Sequence, residues 1–363
     1  MKNILIISPE PWNGYSVSKH HYARTLAKQG YRVYFLSPPN NSLLDIAITK
    51  TEYDNLFEVQ APQVAKGLRF YPKFLRIYLE HKWLLELEKK IAIEIDVVWL
   101  FENSRFFNME FAKDRLKIYH QVDLNQNYHV KEASMSADIC FSIAENIKNN
   151  INKYNKNIYK IGHGLNKDTI INTPLQYREN IKNDSKNVAY IGNLDMIYIN
   201  EIMIRDIIKK HPQITFHFIG SYSKDGDLYN VCKQFKNVVW WGRIESKYIE
   251  SILKMMDIHL IAYRVEEYGE QLTNTHKLLE YLYSGKVVVS TYLDEYKDKR
   301  YLLEMVDNSK DYIEKFDEVV NNLEFYNSTE KQQQRIAFAK EHTYEKQLEK
   351  IKELIKQHTN KEL

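Results

Sequence analysis

The sequence contains few cysteines and no pattern that would use them. Cys140 and Cys232 lie in separate apolar stretches, and neither a Cys-x-x-Cys pair nor a cluster of histidine and cysteine accompanies them. Disulfide frameworks and zinc sites are built from such pairs and clusters. Both residues are therefore predicted to be buried free thiols in a reducing compartment.

Long apolar runs and blocks of a single charge are also missing. No stretch approaches the ~18 apolar residues that would span a bilayer, and the N-terminal MKNILIISPEPW lacks the length and cleavage site of a signal sequence. The 51 basic and 48 acidic side chains are interspersed, which leaves a net charge of +3 and argues against nucleic acid as a partner. The expected location is the cytoplasm, with peripheral contact to the inner leaflet left open.

The sequence does contain two series of alternating strand and helix signals. The apolar run at 3–8, a helical segment at 16–29 closed by Gly30, and a strand at 31–37 predict a βαβ unit, and hence a parallel sheet with right-handed crossovers. The polar segment 172–187 is predicted to link this series to a second one. We predict domains at 1–171 and 188–335, followed by a C-terminal helix at 336–363 that packs across both.

Ligands of doubly wound sheets bind beyond the carboxyl ends of the strands, so functional residues are expected in the loops that follow strands. The most informative segment is 274–291, NTHKLLEYLYSGKVVVST, which places Lys277 at a predicted helix N-terminus and Glu280 one turn later. A helix N-terminus offers free N–H groups and a positive dipole, which suit a diphosphate. Glu280 could accept hydrogen bonds from ribose hydroxyls. A bare Lys-x-x-Glu could equally be a solvated ion pair.

The whole phrase N-x-x-K-L-x-E-Y-L-x-x-G-K-x-V-V-x-T resembles the nucleotide-sugar helix of retaining GT-B glycosyltransferases of family four (the group 1 kind), and is most similar to the teichuronic-acid and capsule branch. Other family-like segments follow in the family's order: WNGYSVSKHHYARTLAKQGYRVYFLSPP, KIYHQVD, SADICFSIAENI, IGHGLN, YIGNL and VVWWGRIESKYI. The resemblance covers nearly the whole chain. It implies an α/β protein of the GT-B fold, with two facing Rossmann-like doubly wound domains and a C-terminal helix returning toward the N-terminal domain.

The resemblance also implies site residues. Those assigned to the nucleotide-sugar donor are Gly14, Gly192, Asn193, Arg243, Ile244, Asn274, Lys277, Leu278, Leu279 and Glu280. The catalytic set is Lys277 on the departing diphosphate, Glu280 on the ribose and His120 beside the donor sugar. Apart from the resemblance, Ser16, His20 and Asp123 are candidates for the acceptor side. His20 could instead be a partly buried ring of the first helix, and Asp123 could simply cap a turn. A lysine and a helix N-terminus can stabilise the charge of a departing diphosphate, so no metal and no other cofactor is expected.

The implied function is the transfer of a sugar from a nucleoside-diphosphate sugar to a glycan or lipid-linked acceptor, in bacterial-type surface polysaccharide biosynthesis and with retention. The alternative is a non-catalytic GT-B subunit that binds or scaffolds a glycan-synthesis complex. That alternative stays open because Asn193, Leu194 and Asp195 stand where many family members have Arg and Lys, and Thr273 stands where many have an acid. A dinucleotide oxidoreductase is excluded, since the first βα turn reads SPEPWNGYS instead of G-x-G-x-x-G.

Two further segments have competing interpretations. Asp225-Gly226-Asp227 has the D-x-D form of metal-using transferases, but its position at a helix start favours a polar turn and N-cap. Segment 66–90, KGLRFYPKFLRIYLEHKWLLELEKK, places Lys73, Arg76 and Lys82 among aromatic residues. That composition suits a helix that docks on an anionic membrane. It also suits an amphipathic helix whose aromatics face the sheet.

Overall fold

The structure is a computed structural model that describes residues 2–14, 16–124, 128–166, 174–269, 272 and 275–363. The chain forms two compact units. The first consists of residues 1–164 and 344–363, and the second of residues 165–343. Each unit is built on its own sheet.

The first unit contains an eight-stranded sheet. Its strands are β1 (Asn3–Ile7), β2 (Arg32–Leu36), β3 (Ala47–Lys50), β4 (Leu56–Gln60), β5 (Val97–Leu100), β6 (Leu116–Gln121), β7 (Ile139–Ser142) and β8 (Ile158–Lys160). They lie in the order β3-β4-β2-β1-β5-β6-β7-β8, and all pairs are parallel except β3 with β4. The central strands are buried on both faces, as their continuous apolar sequences predict. Strand order reverses at β1, which creates a switch point between β1 and β5.

Four helices follow strands of this sheet: α1 (Ser18–Lys28), α2 (Lys73–Ile91), α3 (Val130–Ser136) and α4 (Glu145–Ile151). The predicted βαβ opening is confirmed, because β1 and β2 pair in parallel with α1 between them. Strand β3 was not predicted. It is a largely exposed edge strand, so its sequence AITK carries no apolar run.

The second unit contains a six-stranded sheet in which every pair is parallel. Its strands are β9 (Asn187–Ile191), β10 (Thr215–Ile219), β11 (Val238–Gly242), β12 (Ile258–Ile261), β13 (Val287–Ser290) and β14 (Glu304–Met305), in the order β11-β10-β9-β12-β13-β14. The helices of this unit are α5 (Leu175–Arg178), α6 (Glu201–Lys210), α7 (Asp227–Cys232), α8 (Ser246–Lys254), α9 (Val265–Tyr268), α10 (Lys277–Ser284), α11 (Tyr312–Asn321), α12 (Leu323–Tyr326) and α13 (Thr329–Lys340).

The observed division of the chain differs from the predicted boundaries. The units divide after residue 164 and after residue 343, instead of at 171/188 and 335/336. Helix α13 belongs to the second unit because Arg335 is fully buried there and donates to three backbone carbonyls. The predicted helix 336–363 is instead the end of α13 followed by α14 (Tyr344–His358). Helix α14 belongs to the first unit, whose core takes in Tyr344 and Leu348.

Both cysteines are buried free thiols, as predicted, and burial raises the pKa of each. In the described ranges, the helices are all too short or too polar to cross a bilayer.

Candidate functional site

Three glycines meet at the carboxyl ends of adjacent strands in the second unit. Gly192 follows β9, Gly220 follows β10, and Gly242 is the last residue of β11. The Gly192 amide donates to the Ile219 carbonyl at 2.9 Å, and the Gly220 amide donates to the Gly242 carbonyl at 2.9 Å. The three loops are thereby held side by side at the edge of the sheet where ligands of such folds bind.

Gly192 and Gly220 cannot be replaced without displacing this arrangement. Their φ angles are +136° and +141°, a region that L-residues with side chains rarely adopt. A Cβ at Gly220 would collide with the Gly192 carbonyl, and a Cβ at Gly192 would lie 3.0 Å from the Lys277 Nζ. The two glycines form a floor without side chains beside Lys277. Gly192 was predicted as a site residue, and Gly220 was not. Gly220 ends the segment FHFIG, and its position directly after an apolar run could have indicated a loop at the edge of the sheet.

Lys277 lies at the first position of α10, against two buried aromatic rings. Its Nζ is 3.9 Å from the ring centroid of Tyr190 in β9 and 5.5 Å from that of Tyr263, which follows β12. The Tyr263 hydroxyl lies 3.1 Å from the Thr275 Oγ1, just before the helix. These cation–π contacts hold the ammonium group, and within the described residues it has no hydrogen-bonding partner that a ligand would have to displace. We call Tyr190 and Tyr263 the tyrosine cage.

Lys277 and Glu280 have strongly displaced acidities. Burial lowers the pKa of Lys277 to about 7, although the attraction of Glu280 acts in the opposite direction. Burial likewise raises the pKa of Glu280 to about 7, against the attraction of Lys277. Both residues keep part of their surface exposed. A dianionic group placed beside Lys277 would favour its charged form, so the site is prepared to bind negative charge.

The start of α10 offers fewer free amides than the resemblance implies. The side chains of Leu278 and Leu279 are buried, so only their backbone can reach a ligand. The Leu278 amide already donates to the Thr275 carbonyl at 3.2 Å. Asn274, the other residue assigned here, lies outside the described residues.

The loop after β9 is fixed by side-chain hydrogen bonds. The Asn193 Oδ1 accepts from the Asp195 amide at 3.1 Å, and the Asp195 carboxylate accepts from the Ser223 amide at 2.8 Å. Asp195 therefore ties the loop after β9 to the loop after β10. Asn193 itself is exposed beside Gly192, and its side chain is available at the surface of the site.

The residues assigned to the nucleobase lie directly after β11. Arg243 is exposed, whereas Ile244 is partly buried and packs on the core of the second unit. Arg264, which follows β12 at the same edge of the sheet, forms a tight ion pair with Glu201. Because that charge is already compensated, Lys277 and the exposed Arg243 are the candidate cations left at this sheet edge.

In the first unit, His120 occupies the end of β6 with no exposed surface. Its ring stacks on Phe101, with centroids 5.0 Å apart, and on Trp99 at 6.1 Å. Neither ring nitrogen has a hydrogen-bond partner within the described residues. Burial and the nearby charge of Lys19 lower the pKa of His120 to about 3, so the ring is neutral. Its side chain offers no open surface to a sugar here.

The loop after β1 is organised by His20. The Nδ1 of His20 accepts from the Val17 amide at 3.3 Å, which leaves Nε2 to donate to the Pro11 carbonyl at 3.0 Å. The Gly14 amide donates to the same Pro11 carbonyl at 3.1 Å. With both nitrogens engaged and the ring buried, His20 positions the loop instead of facing a ligand.

The two remaining acceptor-side candidates are exposed. The Ser16 hydroxyl accepts from the Arg24 guanidinium at 3.0 Å. Asp123 follows β6, and its backbone carbonyl accepts from the Gln121 side chain at 3.0 Å. Both are accessible from solvent, as an acceptor-binding role requires.

The Asp225-Gly226-Asp227 motif is a turn that begins a helix, as the sequence analysis favoured. Gly226 is the N-cap of α7, and its carbonyl accepts from the Asn230 amide at 2.9 Å. Across the ranges the structure describes, no three His, Cys, Asp or Glu residues lie close enough together to hold a metal ion.

Comparison with known proteins gives one relative by sequence and many by structure. No protein-family model matches the chain. A Bacillus subtilis protein described as a teichuronic acid biosynthesis glycosyltransferase, TuaH, is 29% identical over 92 residues, which make up 25% of this chain and 23% of that protein. The match thus spans about a quarter of the curated relative.

The structural similarity extends over the whole chain. A glycosyltransferase from Rickettsia africae superimposes with a TM-score of 0.70 at 12% identity, covering 99% of both chains. An Escherichia coli chain, described as trehalose-6-phosphate bound with UDP-2-fluoro glucose, gives a TM-score of 0.67 at 10% identity, covering 97% of this chain and 99% of that one. Such low identities show the fold alone. The chain has the α/β GT-B fold of these proteins, two Rossmann-like units with parallel sheets, as the sequence resemblance implied.

Proposed function

We propose that the protein is a glycosyltransferase that moves a sugar from a nucleoside-diphosphate sugar to a glycan or lipid-linked acceptor. The observation that carries this proposal is Lys277, caged at the start of α10 above the floor formed by Gly192 and Gly220. Lys277 supplies a positive charge, and the two glycines leave space beside it in which a diphosphate could lie. The GT-B fold and the Bacillus subtilis relative support the same class of reaction.

The proposed chemistry follows from where charge develops. The bond between the anomeric carbon and the diphosphate oxygen breaks, and its electron pair leaves with the diphosphate. An acceptor hydroxyl oxygen bonds to the carbon and gives its proton to an oxygen of the departing diphosphate. Lys277 and the positive end of α10 stabilise the departing charge. Glu280, one turn further along α10, accepts hydrogen bonds from the ribose. This assignment needs no metal, and the retaining outcome rests on the family resemblance.

The proposed setting is surface polysaccharide biosynthesis of the bacterial type. It is supported by the relative described as acting in teichuronic acid biosynthesis. The segment that matches is about a quarter of each chain.

A thermal-shift screen against nucleotides and nucleotide sugars, with and without EDTA, tests the donor site. We expect one nucleoside diphosphate to raise the melting temperature, because a ligand at 100 times its Kd adds about 2.7 kcal/mol to the free energy of unfolding. EDTA should leave the shift unchanged. Glu280→Ala should abolish the shift, since it removes the ribose contact.

The matched control is Glu314→Ala, an exposed glutamate on α11 of the same unit, which should retain the shift. If the nucleoside diphosphate raises the melting temperatures of Glu280→Ala and Glu314→Ala by the same amount, the ribose is bound elsewhere.

A non-catalytic GT-B subunit is the second candidate function. It is favoured by one observation: the loop after β9 carries Asn193 and Asp195 in place of cations, and Arg264 is held by Glu201. The two candidates differ in donor turnover. Release of nucleoside diphosphate from the donor supports the enzyme, whereas donor binding without release over hours supports the subunit.

We further propose that the first unit contacts an anionic membrane. The turn before α2 and the exposed side of α2 present Phe70, Phe74 and Tyr78, which are 77%, 75% and 63% exposed. Between Glu58 and Glu80 the sequence has four basic residues and no acid. We call residues 66–82 the aromatic-basic face.

Arg76 does not contribute to this surface, in contrast to the sequence-based expectation. It is buried, its Nη2 lies 3.2 Å from the Glu80 carboxylate, and its guanidinium lies over the Phe107 ring. Trp83 also faces the core. The side of the helix with Arg76 and Trp83 therefore packs as an amphipathic helix does, and the opposite, exposed side is the one proposed to contact the membrane. The exposed cations are Lys66, Arg69, Lys73 and Lys82.

Sedimentation with anionic vesicles tests this surface. We expect Lys66→Gln/Arg69→Gln to reduce the partition constant for the vesicles at least tenfold, because each cation near an anionic surface contributes about 1 kcal/mol. Phe70→Ser/Phe74→Ser should reduce it further, since the aromatic rings insert at the interface.

The control is Lys209→Gln/Lys236→Gln, which removes the same charge from exposed positions of the second unit and should leave vesicle binding unchanged. Equal losses in both charge variants would mean that net charge, and not the aromatic-basic face, governs the association.

A further inference from the structure

Arg105 occupies the switch point of the first unit's sheet. It lies in the loop after β5, and its Nη1 donates to the backbone carbonyl of Ser37, directly after β2, at 3.1 Å. Because β1 lies between β2 and β5, the guanidinium extends across the carboxyl end of β1. Doubly wound sheets bind ligands at this place.

The guanidinium has unused hydrogen-bonding capacity. Its Nε and Nη2 are buried and donate to no group in the part of the chain that the structure describes. Burial lowers the pKa of Arg105 to about 10, and the attraction of Glu102 opposes that change. The Glu102 Oε1 accepts from the Ser104 amide at 2.6 Å and from the Arg105 amide at 3.3 Å. The hydrogen bonds of this carboxylate oxygen therefore go to the backbone of the loop, and Glu102 acts on the guanidinium only through its charge.

Three other cations that are buried or mostly buried in the described part of the chain have partners for their charge or donors. Lys19 pairs with Glu10 at 2.6 Å, Arg115 pairs with Glu88 at 2.6 Å, and Arg335 donates to three carbonyls. A buried guanidinium with two idle donors destabilises a folded protein. Buried ionisable groups whose pKa is strongly perturbed cluster at functional sites, so a ligand is a reason to keep such an arginine.

The anchor of Arg105 is itself rigid. The Ser37 hydroxyl donates to the Glu58 carboxylate at 2.6 Å and accepts from the Trp12 amide at 3.1 Å. Ser37 is therefore fixed by two strands and the loop after β1. Its carbonyl accepts from Nη1 on one side of the guanidinium, and the opposite edge has no partner among the residues that the structure describes.

We propose that Arg105 binds an oxyanion, a phosphate or a carboxylate, carried by the sugar acceptor. Nε and Nη2 form the side edge of the guanidinium, and this edge matches two oxygens of such a group in a bidentate pair. Arg105 keeps part of its surface exposed, so a rotation of the guanidinium presents this edge to solvent. The identification of the ligand as the acceptor rests on the proposed function, whereas anion binding does not.

Calorimetric titration with three probes tests the proposal. Glucose 6-phosphate, glucuronate and glucose share a sugar ring and carry a phosphate, a carboxylate and no charge, respectively. Comparing the first two distinguishes a phosphate ligand from a carboxylate ligand. We expect one charged sugar to bind at least tenfold more tightly than glucose, and Arg105→Gln to remove that difference. Arg32→Gln, at the opposite edge of the sheet on the first residue of β2, is the matched control and should bind as the unchanged protein does.

Thermal unfolding separates a ligand role from a structural one. Arg105→Met removes a buried charge with idle donors, so its melting temperature should equal or exceed that of the unchanged protein. A structural arginine would give a lower one. The charged sugar should then raise the melting temperature of the unchanged protein and of Arg32→Gln, but not that of Arg105→Met.

Three results would overturn the proposal: equal affinity for glucose and both charged sugars, no binding of any charged sugar, or undiminished binding in Arg105→Gln. Nucleoside-diphosphate binding should persist in Arg105→Gln, because the candidate donor residues at the start of α10 lie in the second unit. If neither the unchanged protein nor Arg105→Gln binds a nucleoside diphosphate, the proposed function is contradicted. The proposal of an anion site at Arg105 is not affected by that result.

Discussion

Lys277→Ala should lower the rate of sugar transfer about 10²–10³-fold, the effect of losing one group that stabilises transition-state charge. The reason is that Lys277, at the start of α10, is the cation proposed to face the diphosphate, whereas Arg264 is bound to Glu201. The measurement is release of nucleoside diphosphate at saturating donor. Lys209→Ala, on the exposed side of α6, is the control and should retain the full rate.

The same variant should change the pH dependence of donor binding. Burial lowers the pKa of Lys277 to about 7 in the free protein, and a bound diphosphate raises it again. Binding therefore takes up a proton, and the affinity for the donor should fall as pH rises above 7. In Lys277→Ala this decline should be absent. A rate within threefold of the unchanged protein, with the same pH profile, would place the diphosphate elsewhere.

Arg335→Met should lower the free energy of unfolding of the second unit by about 3–5 kcal/mol, the effect of breaking a buried charged network. Arg335 is fully buried, and it donates to the carbonyls of Leu302, Gly285 and Tyr326 at 3.1, 3.0 and 2.9 Å. Methionine has similar volume but no donor, so three buried carbonyls lose their partner. Gly285 ends α10, and the loss thus reaches the helix that carries Lys277.

Urea unfolding followed by hydrogen exchange of peptides from each unit measures this effect. Exchange should accelerate in peptides of the second unit. Gln333→Met, on the exposed side of α13, is the control and should change the stability by less than about 0.5 kcal/mol. An unchanged unfolding midpoint in Arg335→Met would mean that water or repacking satisfies the carbonyls.

The buried strands were predictable because parallel strands covered on both faces are written as near-continuous apolar runs. NILII of β1 and VVVS of β13 are of this kind. Strands β3 and β14 were not, because AITK is mostly exposed and β14 has only two residues. Their formation depends on pairing with a neighbouring strand, which leaves no local pattern.

The candidate site was predictable where it lies in one continuous phrase, as for Lys277 and Glu280. The tyrosine cage was not, because Tyr190 and Tyr263 stand in or beside buried strands and have the sequence context of ordinary core residues. For Arg76 the prediction was wrong in the opposite sense, because a residue expected at the surface is buried. Its basic surroundings suggested an exposed cation, but Glu80 one turn later and the distant Phe107 hold it inside.

The path of the chain has a consequence for its synthesis. The second unit is one continuous segment, 165–343, whereas the first unit needs residues from both sides of it. During translation, all of the second unit emerges before Tyr344, Leu348 and Ile351, which the core of the first unit requires. Domains generally fold as units when their residues are available. We therefore expect the first unit to begin folding before the second unit is synthesised and to complete its core only after the second unit has left the ribosome.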